Sequence, residues 1–173
     1  GGSAAVQDST GAVHDAGDGE LLVRSPSVMS GYLRRPDLTA AVISDGWYRT
    51  GDTAHIDQDG RIVLTGRIKD EINRAGLKIQ PAEIDALLES HPAVAEACVF
   101  GMVDAVSGEI VAAAVRAVPG ANVSSEALAQ WCAERLRREA IPERWFMVDK
   151  LPRNDRGKIN RDAVRRSLAG DKT

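Results

Sequence analysis

The run Val111-Ala112-Ala113-Ala114-Val115 constrains the fold more than any other stretch of this sequence. It lacks polar alternation, so it reads as a strand buried on both faces. Such a strand needs a layer of structure on each side, and the flanking sequence supplies helices for both. Residues 94–103 read as a second apolar strand and residues 110–118 as the one holding the run. Residues 81–90 read as a helix: Pro81 suits a first turn, Ile84, Leu87 and Leu88 recur at helical spacing, and Pro92 stops it. A second helix, capped by Ser124 or Ser125, is expected to run to about Glu139 with Leu128, Trp131, Cys132 and Leu136 as its apolar stripe. Residues 146–148 read as a short strand, 152–158 as a basic loop and 162–168 as a last helix. Residues 71–73 and 77–79 can pair as a hairpin around Arg74-Ala75-Gly76. From residue 68 the order is then β-β-α-β-β-α-β-α, an α/β (α+β) unit with a short sheet flanked by helices.

The stretch before it reads differently, as short strands and turns. Gly17-Asp18-Gly19 marks a turn, residues 20–24 alternate like a strand, and Pro36 opens a short helix over 36–43. Residues 53–56 and 61–65 form a hairpin around Asp57-Gln58-Asp59-Gly60. Within it Ile62 and Leu64 face one way, and Arg61, Val63 and Thr65 the other. We therefore expect two domains, 1–67 and 68–173. No apolar run approaches the ~18 residues of a membrane span, and the first residues carry no secretory signal. Cys98 and Cys132 have no metal-ligand or redox spacing and read as buried thiols, which suits a reducing cytoplasm. The overall charge is −3, yet residues 135–173 hold 12 Lys/Arg against 6 Asp/Glu, leaving 10 against 19 elsewhere. That basic segment suits a polyanion such as a nucleotide or CoA phosphate, or else an ordinary solvated face. Aromatics are 4% and no nucleic-acid-binding spacing is present. His14, His55 and His91 belong to no visible base, nucleophile or metal cluster.

Four stretches occur in a fixed order: Gly31-Tyr32-Leu33-Arg34-Arg35-Pro36; Gly46-Trp47-Tyr48-Arg49-Thr50-Gly51-Asp52; Gly66-Arg67-Ile68-Lys69-Asp70 through Gly76-Leu77-Lys78-Ile79-Gln80-Pro81-Ala82-Glu83-Ile84; and Pro152-Arg153-Asn154-Asp155-Arg156-Gly157-Lys158-Ile159. Together they resemble the C-terminal portion of the AMP-forming carboxylate ligases, the superfamily of acyl-CoA synthetases, aryl-acid ligases, luciferases and peptide-synthetase adenylation domains. The resemblance implies a two-step reaction. A carboxylate and ATP give an acyl-adenylate and pyrophosphate, and the acyl group then passes to the thiol of CoA or of a carrier-protein pantetheine, with Mg2+ as the ion accompanying ATP.

The resemblance also assigns roles. Asp52 is similar to the residue that accepts hydrogen bonds from both ribose hydroxyls, a task that suits a carboxylate with two acceptor oxygens. Arg67 resembles an arginine that also meets the ribose, and its fork of donors stays charged. Lys158 matches the adenylation lysine, whose ammonium steers the carboxylate and the α-phosphate together and stabilises charge in the transition state. Gly157 fits a backbone that bends sharply to present it. Lys69 aligns with the hinge about which the C-terminal domain swings, presenting Lys158 for adenylation and the 71–79 hairpin for thiol transfer. Gly76 resembles the glycine lining the pantetheine tunnel. Ala75 departs from the many relatives that carry glycine there.

The family's phosphate loop, acyl pocket and adenine-stacking aromatic lie upstream of these motifs. Residues 1–67 are thus expected to be the tail of a large domain, its β-barrel-like section, and 68–173 a mobile C-terminal domain. By itself the chain is expected to make no acyl-adenylate. The run Ala169-Gly170-Asp171-Lys172-Thr173 reads as a natural end, which favours a free-standing cytoplasmic enzyme using CoA, or a carrier protein supplied in trans. Residues 135–138 are a candidate contact for either anionic acceptor. Two alternatives stand beside the CoA ligase: an adenylation domain loading a carrier protein, and a non-catalytic docking module of the same fold.

Overall fold

A computed structural model describes residues 1–169, so the expectation of a natural end over residues 169–173 falls, but for Ala169, outside the described residues. By its internal contacts the chain divides into two units, one ending at Lys69 and one starting at Asp70.

In the first unit the strands are β1 (Ser3–Gln7), β2 (Val13–His14), β3 (Gly17–Arg24), β4 (Ile43–Ser44), β5 (Trp47–Ile56) and β6 (Ile62–Arg67), with one short helix, α1 (Pro36–Val42), before β4. They form an antiparallel sheet in the order β2-β1-β3-β5-β4, with β6 also on β5. Val6, Leu21, Ala54 and Ile56 make its small buried cluster. Gly17-Asp18-Gly19 is not a turn but the start of β3, paired with Ile56, His55 and Ala54. The glycine signal there has a different cause: a Cβ on Gly19 would lie 2.3 Å from the Gln7 carbonyl oxygen, so the residue marks a close backbone approach. The alternation expected of β6 buries neither of its faces within this unit, since Ile62, Val63 and Leu64 are 42%, 52% and 61% exposed.

The second unit follows the expected order: β7 (Ile72–Arg74), β8 (Leu77–Ile79), α2 (Pro81–Glu89), β9 (Val94–Asp104), β10 (Gly108–Ala117), α3 (Ser125–Ala133), β11 (Arg144–Met147) and α4 (Arg161–Ala169). Strand β10 is the axis of the sheet. It pairs antiparallel with β9 along its length, parallel with β11 and, at Gly108, with Arg74 of β7. Its residues 111–115 are fully buried. Val111, Ala113 and Val115 pack with Ile84 and Leu88 of α2 and Leu128 and Cys132 of α3. Ala112 and Ala114 face Cys98, Phe100, Leu151 and Val164 of α4 on the other side. The two-residue period of the strand thus serves two cores, and the alanines leave room for larger neighbours.

Helix α3 is capped as expected, Ser124 Oγ accepting from the Ala127 amide at 3.2 Å. It stops at Ala133, six residues before the expected Glu139. Its last turn tightens, with the Arg135 and Leu136 amides both donating to the Cys132 carbonyl at 3.0 and 2.8 Å. The chain then extends at Arg137, whose guanidinium donates to the Lys78 carbonyl at 2.7 Å. By leaving the helix it returns Leu136, Ala140 and Ile141 to the apolar cluster under α2 and α3.

Candidate functional site

In the first unit, Asp52 and Arg67 are cross-strand partners on β5 and β6. The Arg67 Nε lies 2.8 Å from Asp52 Oδ1, with the arginine 58% and the carboxylate 23% exposed. A bulge puts Asp52 there. Gly51 takes φ +72°, and the β3–β5 register shifts between Glu20 and Leu22. Glu20, buried at 8%, holds the bulge through the Arg49 guanidinium at 2.5 and 3.0 Å and the Gly51 amide at 3.3 Å. Thr50 Oγ1 donates to the Leu21 carbonyl at 2.8 Å and accepts from the Asp52 amide at 3.1 Å. Thr50-Gly51-Asp52 is therefore a locked kink that presents one carboxylate ion-paired to Arg67 through its Nε. Lys69, exposed, ends this unit inside a single 3₁₀ turn, Ile68–Asp70.

In the second unit, Lys158 stands exposed on a small hairpin closed by the Arg153–Ile159 bridge. Asn154 organises it. Its amide donates to the Lys158 carbonyl at 2.8 Å, and its Oδ1 accepts from the Arg156 and Lys158 amides at 3.0 and 3.1 Å. Gly157 has φ +75° and its amide donates to the Asn154 carbonyl at 2.9 Å. A side chain at 157 would force the left-handed conformation on an L-residue, which explains the glycine immediately before the lysine.

The Ile72–Ile79 hairpin turns on two residues, Ala75 at φ 49° and Gly76 at φ 85°. Two positive φ values in a two-residue loop define a type I′ turn. A Cβ on Gly76 would meet nothing within 4 Å. The tip is tied down from its flanks. The Ala75 amide donates to the Ser107 carbonyl at 2.7 Å, Asn73 N to Glu109 Oε2 at 2.7 Å, and Arg74 to the Glu139 carbonyl at 2.8 Å and Glu143 at 2.6 Å. Arg135 stacks its guanidinium 3.6 Å over the Trp131 ring.

Sequence reasoning missed the side chains that hold these groups. Glu20, Glu96, Asp85 and Arg161 carry no local pattern, and Asn154 is visible only as a turn residue before Gly157. Burial pushes the Asp85 carboxyl above the ordinary carboxylate range, while its bonded partner, the Arg161 guanidinium, pulls the other way. Both cysteines are buried and free; burial pushes Cys98 up to about 12 and Cys132 to about 11. His55 and His14 bond Asp18 and Asp8, at 2.9 and 2.8 Å, and His91 packs edge-on to Trp131. Among the described residues no group of three or more His, Cys, Asp or Glu is arranged to hold a metal ion.

Known proteins agree with this architecture. Residues 83–158 match the family model described as the AMP-binding enzyme C-terminal domain. The chain is 41% identical to 2-succinylbenzoate–CoA ligase of Geobacillus sp. (strain WCH70) over 87% of its own length and 30% of that protein's. It is 42% identical to the fatty acid–acyl-carrier-protein ligase ScoC of Streptomyces coeruleorubidus over 88% of the chain and 30% of the relative. The structure of the amide bond synthetase McbA from Marinactinospora thermotolerans superposes with a TM-score of 0.90 at 36% identity, over 96% of this chain and 34% of that one. The chain thus spans about a third of the length of the proteins it matches.

Proposed function

Since this chain belongs with the AMP-forming ligases through the AMP-binding enzyme C-terminal domain it carries, we propose that it is the C-terminal part of an ATP-dependent carboxylic acid–CoA ligase. Its first unit supplies ribose contacts, and its second supplies the adenylation lysine and the thiol-transfer hairpin. The observation that carries this reading is the Lys158 hairpin: an exposed ammonium on a loop whose turn is closed by Asn154 and Gly157.

In the first step, a carboxylate oxygen of the acid bonds to the α-phosphorus of ATP while the bond to the pyrophosphate oxygen breaks. Two anions must meet, so the Lys158 ammonium lowers their repulsion and stabilises the added charge of the transition state. The Asp52 carboxylate, oriented by Arg67, accepts from a vicinal diol and fixes the nucleoside. Mg2+ accompanying ATP would be held mainly by the phosphates with one or two carboxylates, so it needs no cluster of three protein ligands, and none stands among the described residues. In the second step, a thiolate bonds to the acyl carbon and AMP leaves. The open space over Gly76 admits a slender pantetheine arm. Lys69, exposed at the unit boundary, is the proposed hinge between the two steps. The two free, buried thiols suit a cytoplasmic setting, and no helix among the described residues is long and apolar enough to cross a membrane.

The test uses the full-length protein. Lys158→Ala should lower ATP–pyrophosphate exchange by about 10²–10³-fold and leave thioester formation from supplied acyl-adenylate intact. Equal loss in both steps defeats the assignment. The chain alone, lacking the large domain, should show no exchange above background.

A carrier protein as acceptor is the second reading, favoured by the 42% identity to a carrier-protein ligase. Arg137, bonded to the Lys78 carbonyl beside the thiol-transfer hairpin, lies where either a CoA phosphate or an acidic carrier helix would approach. Comparing CoA with a loaded carrier as acceptor separates the two. A docking module without chemistry would have no use for the Asp52–Arg67 pair.

A further inference from the structure

The bonds through Asn154 and Gly157 shape the Lys158 hairpin but do not fasten it to the rest of the second unit, yet a transition state needs its lysine in one place. Two arginines flank it. At the N-terminal side, the Arg153 guanidinium bonds the carbonyl of Gly157, the residue before the lysine, and the carboxylate of Glu96 on β9. Glu96 is 17% exposed and its other oxygen takes Arg116 Nε at 2.7 Å, which fixes the carboxylate from the adjacent strand. At the C-terminal side, Arg161 donates to the Val99 carbonyl on β9 and to Asp85 Oδ2 at 2.8 Å. Asp85 Oδ1 accepts from the Val99 amide at 2.6 Å. Among the described residues strand β9 pairs only with β10, so at Val99 these two side chains take the place of a neighbour strand. A purely structural role would end with that edge.

We propose that Arg153, within the Lys158 hairpin, and Arg161, two residues past its closing bridge, are positioning residues that staple the hairpin to β9, so that the backbone carrying Lys158 is delivered in one fixed position. The inference rests on Lys158 acting in adenylation, and goes beyond it by naming what aims it. The guanidinium fork is the reason for arginine at 153: one planar group reaches the peptide oxygen next to the lysine and the Glu96 carboxylate at once, which an ammonium point charge does not reproduce. The fixed end is β9, whose pairing to β10 runs from Asp104 back to Val94.

The test uses Arg153→Gln and Glu96→Gln in the full-length protein. Each should lower ATP–pyrophosphate exchange by about 10–100-fold, the range for a small misplacement of a reacting group. Thioester formation from supplied acyl-adenylate should be unchanged. In a Lys158→Ala background neither substitution should lower exchange further, because its effect passes through the lysine. In the isolated chain, hydrogen exchange at the Arg156 and Lys158 amides should accelerate in both variants while that of residues 111–115 does not. Exchange activity that survives Arg153→Gln while Lys158→Ala abolishes it overturns the proposal. So does a further loss in the Lys158→Ala background, or an equal fall in both half-reactions. If Lys158→Ala itself spares pyrophosphate exchange, the catalytic reading fails instead, and unaltered amide exchange at 156 and 158 would then dismiss the staple on its own.

Discussion

Removing Asp85 should destabilise the second unit more than removing its partner Arg161. Its side chain is 18% exposed and that of its partner Arg161 22%. Asp85→Ala takes away the counter-charge of a guanidinium that cannot shed its proton, and the acceptor of the Val99 amide. Breaking a buried pair costs about 3–5 kcal/mol. The residual exposure, and Asp70 at 3.6 Å from Arg161 Nε, place the expected loss at the low end, about 3 kcal/mol. Asp85→Asn keeps an acceptor for Val99 and should cost less, about 1–2 kcal/mol. Arg161→Met should also cost less than Asp85→Ala: burial already pushes the Asp85 carboxyl up, so the orphaned acid can neutralise itself by taking a proton. The double variant Asp85→Leu/Arg161→Met should fall short of the sum of its parts by about 1–3 kcal/mol. Hydrogen exchange of residues 111–115 reads this, since amides in the fully buried strand exchange through opening of the whole unit. A loss of about 3 kcal/mol appears there as roughly 150-fold faster exchange. A change below about threefold in Asp85→Ala, or strict additivity in the double variant, would refute the account.

Two further outcomes are expected. With Cys98 and Cys132 pushed up to about 12 and 11 by burial, both stay protonated at pH 8 and should resist alkylation until the chain is denatured. Because these values lie above the ~8.5 of a free thiol, the unfolded chain loses its protons first. Stability should thus hold below pH ~8.5 and fall from there toward pH 11, as urea midpoints at successive pH values will show. In the Ala75-Gly76 turn, Gly76→Ala should cost about 1–2 kcal/mol through the backbone alone, as its Cβ meets open space. Ala75→Gly should gain about 0.5–1 kcal/mol by relieving φ 49°, and urea midpoints that move the opposite way would contradict the turn geometry.

What the sequence made legible was what is local. The 111–115 run announced a strand covered twice, Arg74-Ala75-Gly76 a hairpin turn, and Pro81 and Ser124 or Ser125 two helix starts; Arg74 proves to be a strand residue paired with Leu77, which leaves Ala75-Gly76 as the turn. The end of α3 was not legible, because the stripe that continues to Leu136 is satisfied equally by a helix and by a tightened turn that returns Leu136 to the same cluster. Gly17 and Gly19 carried a turn signal that a close β1–β3 approach explains instead. Asp52 and Arg67 were visible as motif residues, but their ion pair depends on a bulge held by Glu20 from another strand. Least legible were the hairpin's fastenings: Arg153 reaches Glu96 across 57 positions and Arg161 reaches Asp85 across 76, and no periodicity spans such distances.

Those fastenings bear on how one unit can serve two steps. The Gly76 turn is bonded to Ser107 and Glu109 at one end of the β9–β10 pair, and the Lys158 hairpin to Glu96 and Val99 along β9. Both candidate groups are thus fixed to the same two strands, whose shared core is fully buried. Moving either one independently would break its side-chain bonds to that frame. On the proposed reading, then, the two groups cannot trade places by loop motion within the unit, and the exchange must come from motion of the unit as a body. Asp70, its first residue, already lies within ion-pair reach of Arg161. On that same reading, a rotation of the backbone at Lys69 would reach a frame that begins at the very next residue, so that one hinge residue would suffice.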